Sequence, residues 1–183
     1  MKHKFITTKT DYNGSQLKPL YSYIHHQLHG DSIVAFAGAC DVTLEHMVDA
    51  EDFVVKALIK SDQMLHFIVE IFNQSLTSGV ALQRLLVCIA QNLLLEKGHS
   101  LKREGDDLYF EGKKLSVSIA SSSAVSTMIH LGLNIDTAGT PVITCSLNDF
   151  SIKPTEFANE LLARFAEEYD SIIEATQKVR PLV

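Results

Sequence analysis

The sequence predicts an α+β fold from three observations. Residues 108–134 hold short runs that alternate apolar and polar side chains around turn-forming residues, the period of strands. Residues 64–72, M-L-H-F-I-V-E-I-F, alternate in the same way. Two later segments, opening at Ser78 and at Pro154, repeat apolar residues at helical spacing instead.

In chain order, residues 3–8 read as a short strand and residues 11–15, D-Y-N-G-S, as a turn. Leu17, Leu20, Tyr21, Ile24 and Leu28 share one helical face, and Gly30 stops that helix. His25, His26 and His29 sit at its end without an acidic or cysteine neighbour, which suits a solvated helix C-terminus. Residues 32–39 are apolar and small, a buried strand. Residues 41–60 then fit a helix capped by Asp41 or Thr43. Asp49 and Asp52 share a face of it, either as a solvated acidic surface or as a site for a cation or a ligand amine. In the strand over 64–72, His66 and Glu70 fall among apolar neighbours. A polar group there needs a partner, so the two contact each other or face a ligand.

The helix opening at Ser78 is apolar over most of its circumference through Leu94 and ends at Gly98. Three strands follow, over 108–111, 114–120 and 127–134, the first two joined by a turn at Gly112. Leu115, Val117 and Ile119 share one face of the second, opposite Lys114, Ser116 and Ser118. In the third, Ile129, Leu131 and Leu133 oppose Met128, His130, Gly132 and Asn134. Setting the polar faces together gives a surface bearing an ammonium, two hydroxyls, an imidazole and an amide, either solvated or the floor of a site. Residues 142–145 read as a fourth strand or strand end, and the helix from Pro154 buries Phe157, Leu161, Phe165, Ile172 and Ile173.

Length, 46% hydrophobic and 21% charged content fit one soluble domain over residues 1–183. A net charge of −6 argues against nucleic-acid binding. No membrane span is expected, because no uninterrupted apolar run approaches the roughly 18–20 residues one needs. The basic start lacks the apolar run of a signal peptide, so a cytoplasmic location is expected. Cys40, Cys88 and Cys145 are odd in number and widely spaced, which suggests neither a disulfide framework nor a metal site.

The segments D-D-L-Y-F-E-G-K-K-L-S-V-S-I and I-H-L-G-L-N-I, after an apolar strand and a buried helix, resemble the catalytic domain of biotin and lipoate protein ligases. Within that superfamily the chain resembles a group of small stand-alone proteins of unassigned function. The resemblance implies a mixed, mainly antiparallel sheet backed by helices. It sets Lys114 at the lysine that lies beside the acyl carboxylate in those ligases, and Asp107 at the motif aspartate. Asp106, Gly105 and Arg103 stand where the motif has asparagine, proline and lysine. ATP is the cofactor implied, but residues 57–63, A-L-I-K-S-D-Q, lack the glycine- and arginine-rich phosphate loop. The related octanoyl transferases use no ATP and attack through a cysteine after the asparagine-ending strand. Cys145 follows Asn134 by a comparable loop, without the proline–cysteine–glycine setting, and so reads as a nucleophile or as packing.

These readings expect His66, Glu70, Lys114, Ser116, Ser118, His130 and Asn134 around one pocket, with Gly132 admitting a ligand close to the backbone. The resulting expectation is ligase-like or acyl-transfer chemistry on a small carboxylic acid or its derivative. Lys114 would be the electrostatic group, and His66 or His130 the acid/base. The alternatives are a non-catalytic carboxylate-binding module and a regulatory homodimer.

Overall fold

One long strand lies at the centre of the main sheet, and its burial explains why. Residues Lys60–Phe72 are buried on both sides from Met64 to Ile71, and only His66 and Glu70 there are polar. The computed structural model describes residues 1–181. Its elements are β1 (Lys2–Ile6), α1 (Tyr21–His26), β2 (Ser32–Asp41), α2 (Ala50–Val55), β3 (Lys60–Phe72), α3 (Leu76–Glu96), β4 (Lys102–Glu104), β5 (Asp107–Phe110), β6 (Lys113–Lys114), β7 (Ser116–Ser122), β8 (Ser126–Asn134) and α4 (Pro154–Gln177). The main sheet has the order β1-β2-β3-β8-β7; β1 runs parallel to β2 and the other pairs are antiparallel. Strands β4, β5 and β6 form a small second sheet. This is the mixed, mainly antiparallel α+β architecture expected from the sequence.

One face of the main sheet, through Ile33, Leu65, Phe67, Ile129 and Leu131, packs against α3 and α4. Ser75 caps α3 by accepting the Ser78 amide, and Gly79 brings that helix so close to β8 that a Cβ there would lie 2.1 Å from Thr127 Cγ2. Helix α3 is long and apolar enough to cross a membrane by length and composition, unlike the sequence reading. Its Leu86, Val87, Ala90, Leu93 and Leu94 nevertheless pack into the core. Helix α4 buries Phe157, Leu161, Phe165 and Tyr169, while Ile173 is only partly buried. Arg164 ties it to α3 through Glu96, 2.7 Å away. The opposite face of the sheet carries a smaller core of Val34, Phe36, Met64 and Ile68 under Tyr12 and Tyr21.

Four expectations change. The helix read over 17–28 shrinks to α1, because Pro19 and a left-handed Leu20 (φ 63°) precede it and the Leu20 amide is taken by Glu70 at 2.7 Å. The single helix over 41–60 is a short 3₁₀ turn at Leu44–His46 followed by α2, whose N-cap is Asp49; no α2 residue is buried. Residues 142–145 give only a bridge between Thr144 and Lys114. The strand read over 114–120 is two strands, broken at Leu115, where the chain passes from the small sheet into the main one.

Candidate functional site

That break at Leu115 sets the geometry of the site. In antiparallel pairs, residues directly opposite share a face. Val117 lies opposite Gly132 and Ile119 opposite His130, whereas Ser116 and Ser118 lie opposite Leu133 and Leu131. The serine hydroxyls therefore turn to the helix side, away from the face of His130, and the expected single polar face does not form. Ser116 Oγ accepts the Leu108 amide (2.9 Å), fastening the small sheet to the main one. Ser118 Oγ donates to the His130 carbonyl (2.8 Å) and accepts from Gln83 of α3 (3.0 Å). Gln83 also donates to Asp106, which pairs with Arg84 at 3.2 Å.

A cleft of about 410 Å³ opens beside this corner, between the β7–β8 face, the loop over 140–144 and the segment over 42–60. Lys114, Asp107, His130 and Asn134 line it, and Ser116 and Ser118 border it with their hydroxyls turned to the helix side. Lys114 Nζ is 2.8 Å from Asp107 Oδ2. Burial raises the Asp107 carboxyl above the usual range, and Lys114 works against that rise. Asn134 fixes the base of the corner by donating to the Lys114 and Cys145 carbonyls at 3.3 and 3.2 Å. Sequence reasoning missed Tyr12, Met47, Leu58 and Lys60, which also line the cleft. They come from turns or element ends, where no periodicity marks a face.

The remaining expected residues lie off the cleft. Glu70 does not meet His66; its carboxylate accepts the Leu20 amide and the Ser126 hydroxyl, both at 2.7 Å, and so anchors the chain before α1. The space above Gly132 is already filled, with Met64, Val117 and His130 within 3.3 Å of where a Cβ would stand. Cys145 is buried, its thiol 3.4 Å from the Lys113 carbonyl, and burial pushes that thiol up, opposite to what a nucleophile needs. His66 is fully buried behind His130, with Nδ1 3.1 Å from His130 Nε2. Tyr12 stacks on His130 with ring centroids 3.8 Å apart. Burial lowers the His66 pKa to about 4 and holds His130 well below its usual value, so both rings are neutral near pH 7.

Residues 57–63, where a phosphate loop would stand, are taken up largely by the start of β3, and Lys60 pairs with Asp41 at 3.1 Å. The cleft lining offers two lysines, each already ion-paired, beside Asp49, Glu51, Asp52, Asp106 and Asp107. These residues do not fit a triphosphate. Asp49 is occupied as the α2 cap, accepting the Glu51 and Asp52 amides. Among the described residues, no group of three or more His, Cys, Asp or Glu is arranged to hold a metal ion.

The solved structure of a protein of unknown function from Pyrococcus horikoshi is 38% identical, with a TM-score of 0.96 over 100% of this chain and 99% of that one. Biotin protein ligase from Aquifex aeolicus superposes with a TM-score of 0.63 at 14% identity, over 95% of this chain and 72% of that one. Protein Ta0514 from T. acidophilum, solved with bound lipoic acid, gives 0.62 at 15% identity over 91% and 85%. At those identities the last two show a shared fold and no more. An uncharacterized protein from Methanocaldococcus jannaschii is 39% identical over 186 residues, 98% of this chain and 84% of its own. The family described as "Domain of unknown function (DUF366)" matches residues 1–180, and the chain belongs to that family.

Proposed function

We propose that the cleft binds a small carboxylic acid or acyl derivative with its carboxyl or carbonyl oxygen at Lys114, and that the protein transfers that acyl group. The observation that carries this reading is the pairing of Lys114 with Asp107 at the cleft wall. An ammonium fixed there stabilises negative charge developing on an acyl oxygen. Asp107 holds that ammonium in place, and the acyl oxygen takes one of its remaining N–H donors. In the transfer, an acceptor amine or thiol attacks the acyl carbon of a thioester donor and the oxyanion collapses to expel the donor's thiol. That group departs with the proton the acceptor loses. Cys145 takes no part, being packed away from the cleft.

A non-catalytic binding module is the second reading, favoured by the replacement of the phosphate loop with the start of β3. Thiol release from octanoyl-N-acetylcysteamine separates the two. The transfer reading predicts release that falls by about 10²-fold or more in Lys114→Met. Saturable octanoate binding without any release, with or without added amine, would leave the binding module. ATP–pyrophosphate exchange with lipoate, octanoate or biotin would contradict the ATP-free account.

A further inference from the structure

The buried histidine pair gives the cleft a feature that a carboxylate site does not require. The carbonyls of Gly38 and Ala39 beside the His66 ring favour an N–H there over a bare lone pair. With Nδ1 of His66 bonded to His130, the N–H falls to Nε2, which is buried and has no hydrogen-bond partner among the described residues. Nδ1 of His66 then accepts from His130 Nε2–H, and His130 Nδ1 is left as a lone-pair acceptor. Among the described residues this Nδ1 has no hydrogen-bond partner and is not sealed from solvent, and His130 lines the cleft. Tyr12, stacked on His130, also lines the cleft, and among the described residues its hydroxyl has no hydrogen-bond partner. His130 lies four residues along β8 from Asn134, the residue fastened to the Lys114 backbone, a separation of roughly 13 Å along a strand. Met64 and Val117 occupy the face between them.

We propose that His130 and Tyr12 form a second recognition point in the cleft, which reads a neutral hydrogen-bond donor, a hydroxyl or a carboxamide, at the end of the ligand remote from its carboxyl group. This deepens the acyl-site reading and rests on it. The ligand class is an ω-hydroxy or ω-amide acid of medium length rather than a plain alkanoate. A plain methyl end would leave the buried imidazole acceptor unpaired, whereas a donor satisfies it. An ammonium end is not expected, because no carboxylate belongs to the Tyr12–His130–His66 cluster to neutralise it. Asp11 acts on His66 and Cys40 on Tyr12 only through space, and the Asp11 carboxylate accepts the Ala39 amide.

Calorimetric titration with octanoate, 8-hydroxyoctanoate, suberic acid monoamide and 8-aminooctanoate tests this on wild type, His130→Leu and Lys114→Met. The hydroxyl or the amide should bind wild type about tenfold more tightly than octanoate. His130→Leu should remove that preference, and Lys114→Met should weaken all the acids. Lys114-dependent binding of octanoate with equal or weaker binding of the hydroxyl and amide overturns this inference and leaves the acyl-site reading standing. Tighter binding of 8-aminooctanoate than of either neutral donor also overturns it. Absence of Lys114-dependent binding by every acid overturns both. If His130→Leu fails to fold, imidazole ¹⁵N shifts of the wild type decide: a bare His130 Nδ1 that shifts on adding 8-hydroxyoctanoate, but not octanoate, supports the assignment. A protonated Nδ1 in the free protein refutes it.

Discussion

Acid should destabilise this protein through His66. The ring has no exposed surface, and burial lowers its pKa from 6.5 to about 4, with the Gly38 and Ala39 carbonyls working the other way. A histidine with a depressed folded-state pKa takes its proton more readily when unfolded. Its contribution is therefore complete above about pH 6.5 and is lost as the pH falls toward 4. Linkage with those two values gives a loss of about 2 kcal/mol between pH 7.5 and 5, and about 3 kcal/mol once the transition is complete. With a urea m-value of about 2 kcal/mol/M, the first figure moves the unfolding midpoint by roughly 1 M. His130, lowered by burial and by its neighbour, acts in the same direction. The assay is urea unfolding at pH 7.5, 6 and 5 on wild type and His66→Gln. Carboxylates titrate alike in both, so the difference between the profiles isolates the imidazole. Wild type should lose about 1 M more than the variant. Parallel profiles would refute the argument from burial.

Three further outcomes follow from the packing. Lys114→Met leaves Asp107 partly buried without its cation and should cost about 1–2 kcal/mol, while adding Asp107→Asn should recover most of it; a double variant no more stable than the single would contradict the pair. Gly79→Ala should destabilise by about 2 kcal/mol despite alanine's better helix propensity, because its Cβ meets Thr127 Cγ2, and a gain in Tm would refute that contact. Iodoacetamide should alkylate the half-buried Cys88 well before the buried Cys40 and Cys145, read by peptide mass; early modification of Cys145 would reopen its reading as a nucleophile.

Much of the fold was legible because period and punctuation are local. Alternation marked β3, β7 and β8, the apolar spacing after Ser78 marked α3, which begins two residues earlier at Leu76, and Pro154 marked the start of α4. The site was less legible because alternation orders faces within a strand and says nothing of the phase between strands. Leu115 gives its amide to the Leu108 carbonyl while Lys114 gives its own to Ile143, so the chain turns between sheets at that point. One residue of phase moved Ser116 and Ser118 to the helix side. The partners of Glu70 and His66 were invisible for a related reason: Leu20, Ser126 and His130 are distant in sequence and meet them only across the sheet. Lys114 was marked by alternation and by the family resemblance, Asp107 by the resemblance alone, and the ion pair between them came only with the structure.

The most direct test of the acyl site is equilibrium binding of octanoate, lipoate and biotin, each alone, to wild type and Lys114→Met, with the melting temperature of both proteins measured alongside. The account predicts that at least one acid binds saturably and that Lys114→Met weakens it about tenfold or more, while Tm falls by only about 2–8 °C. Equal binding to both proteins, or binding by none of the three, would contradict it.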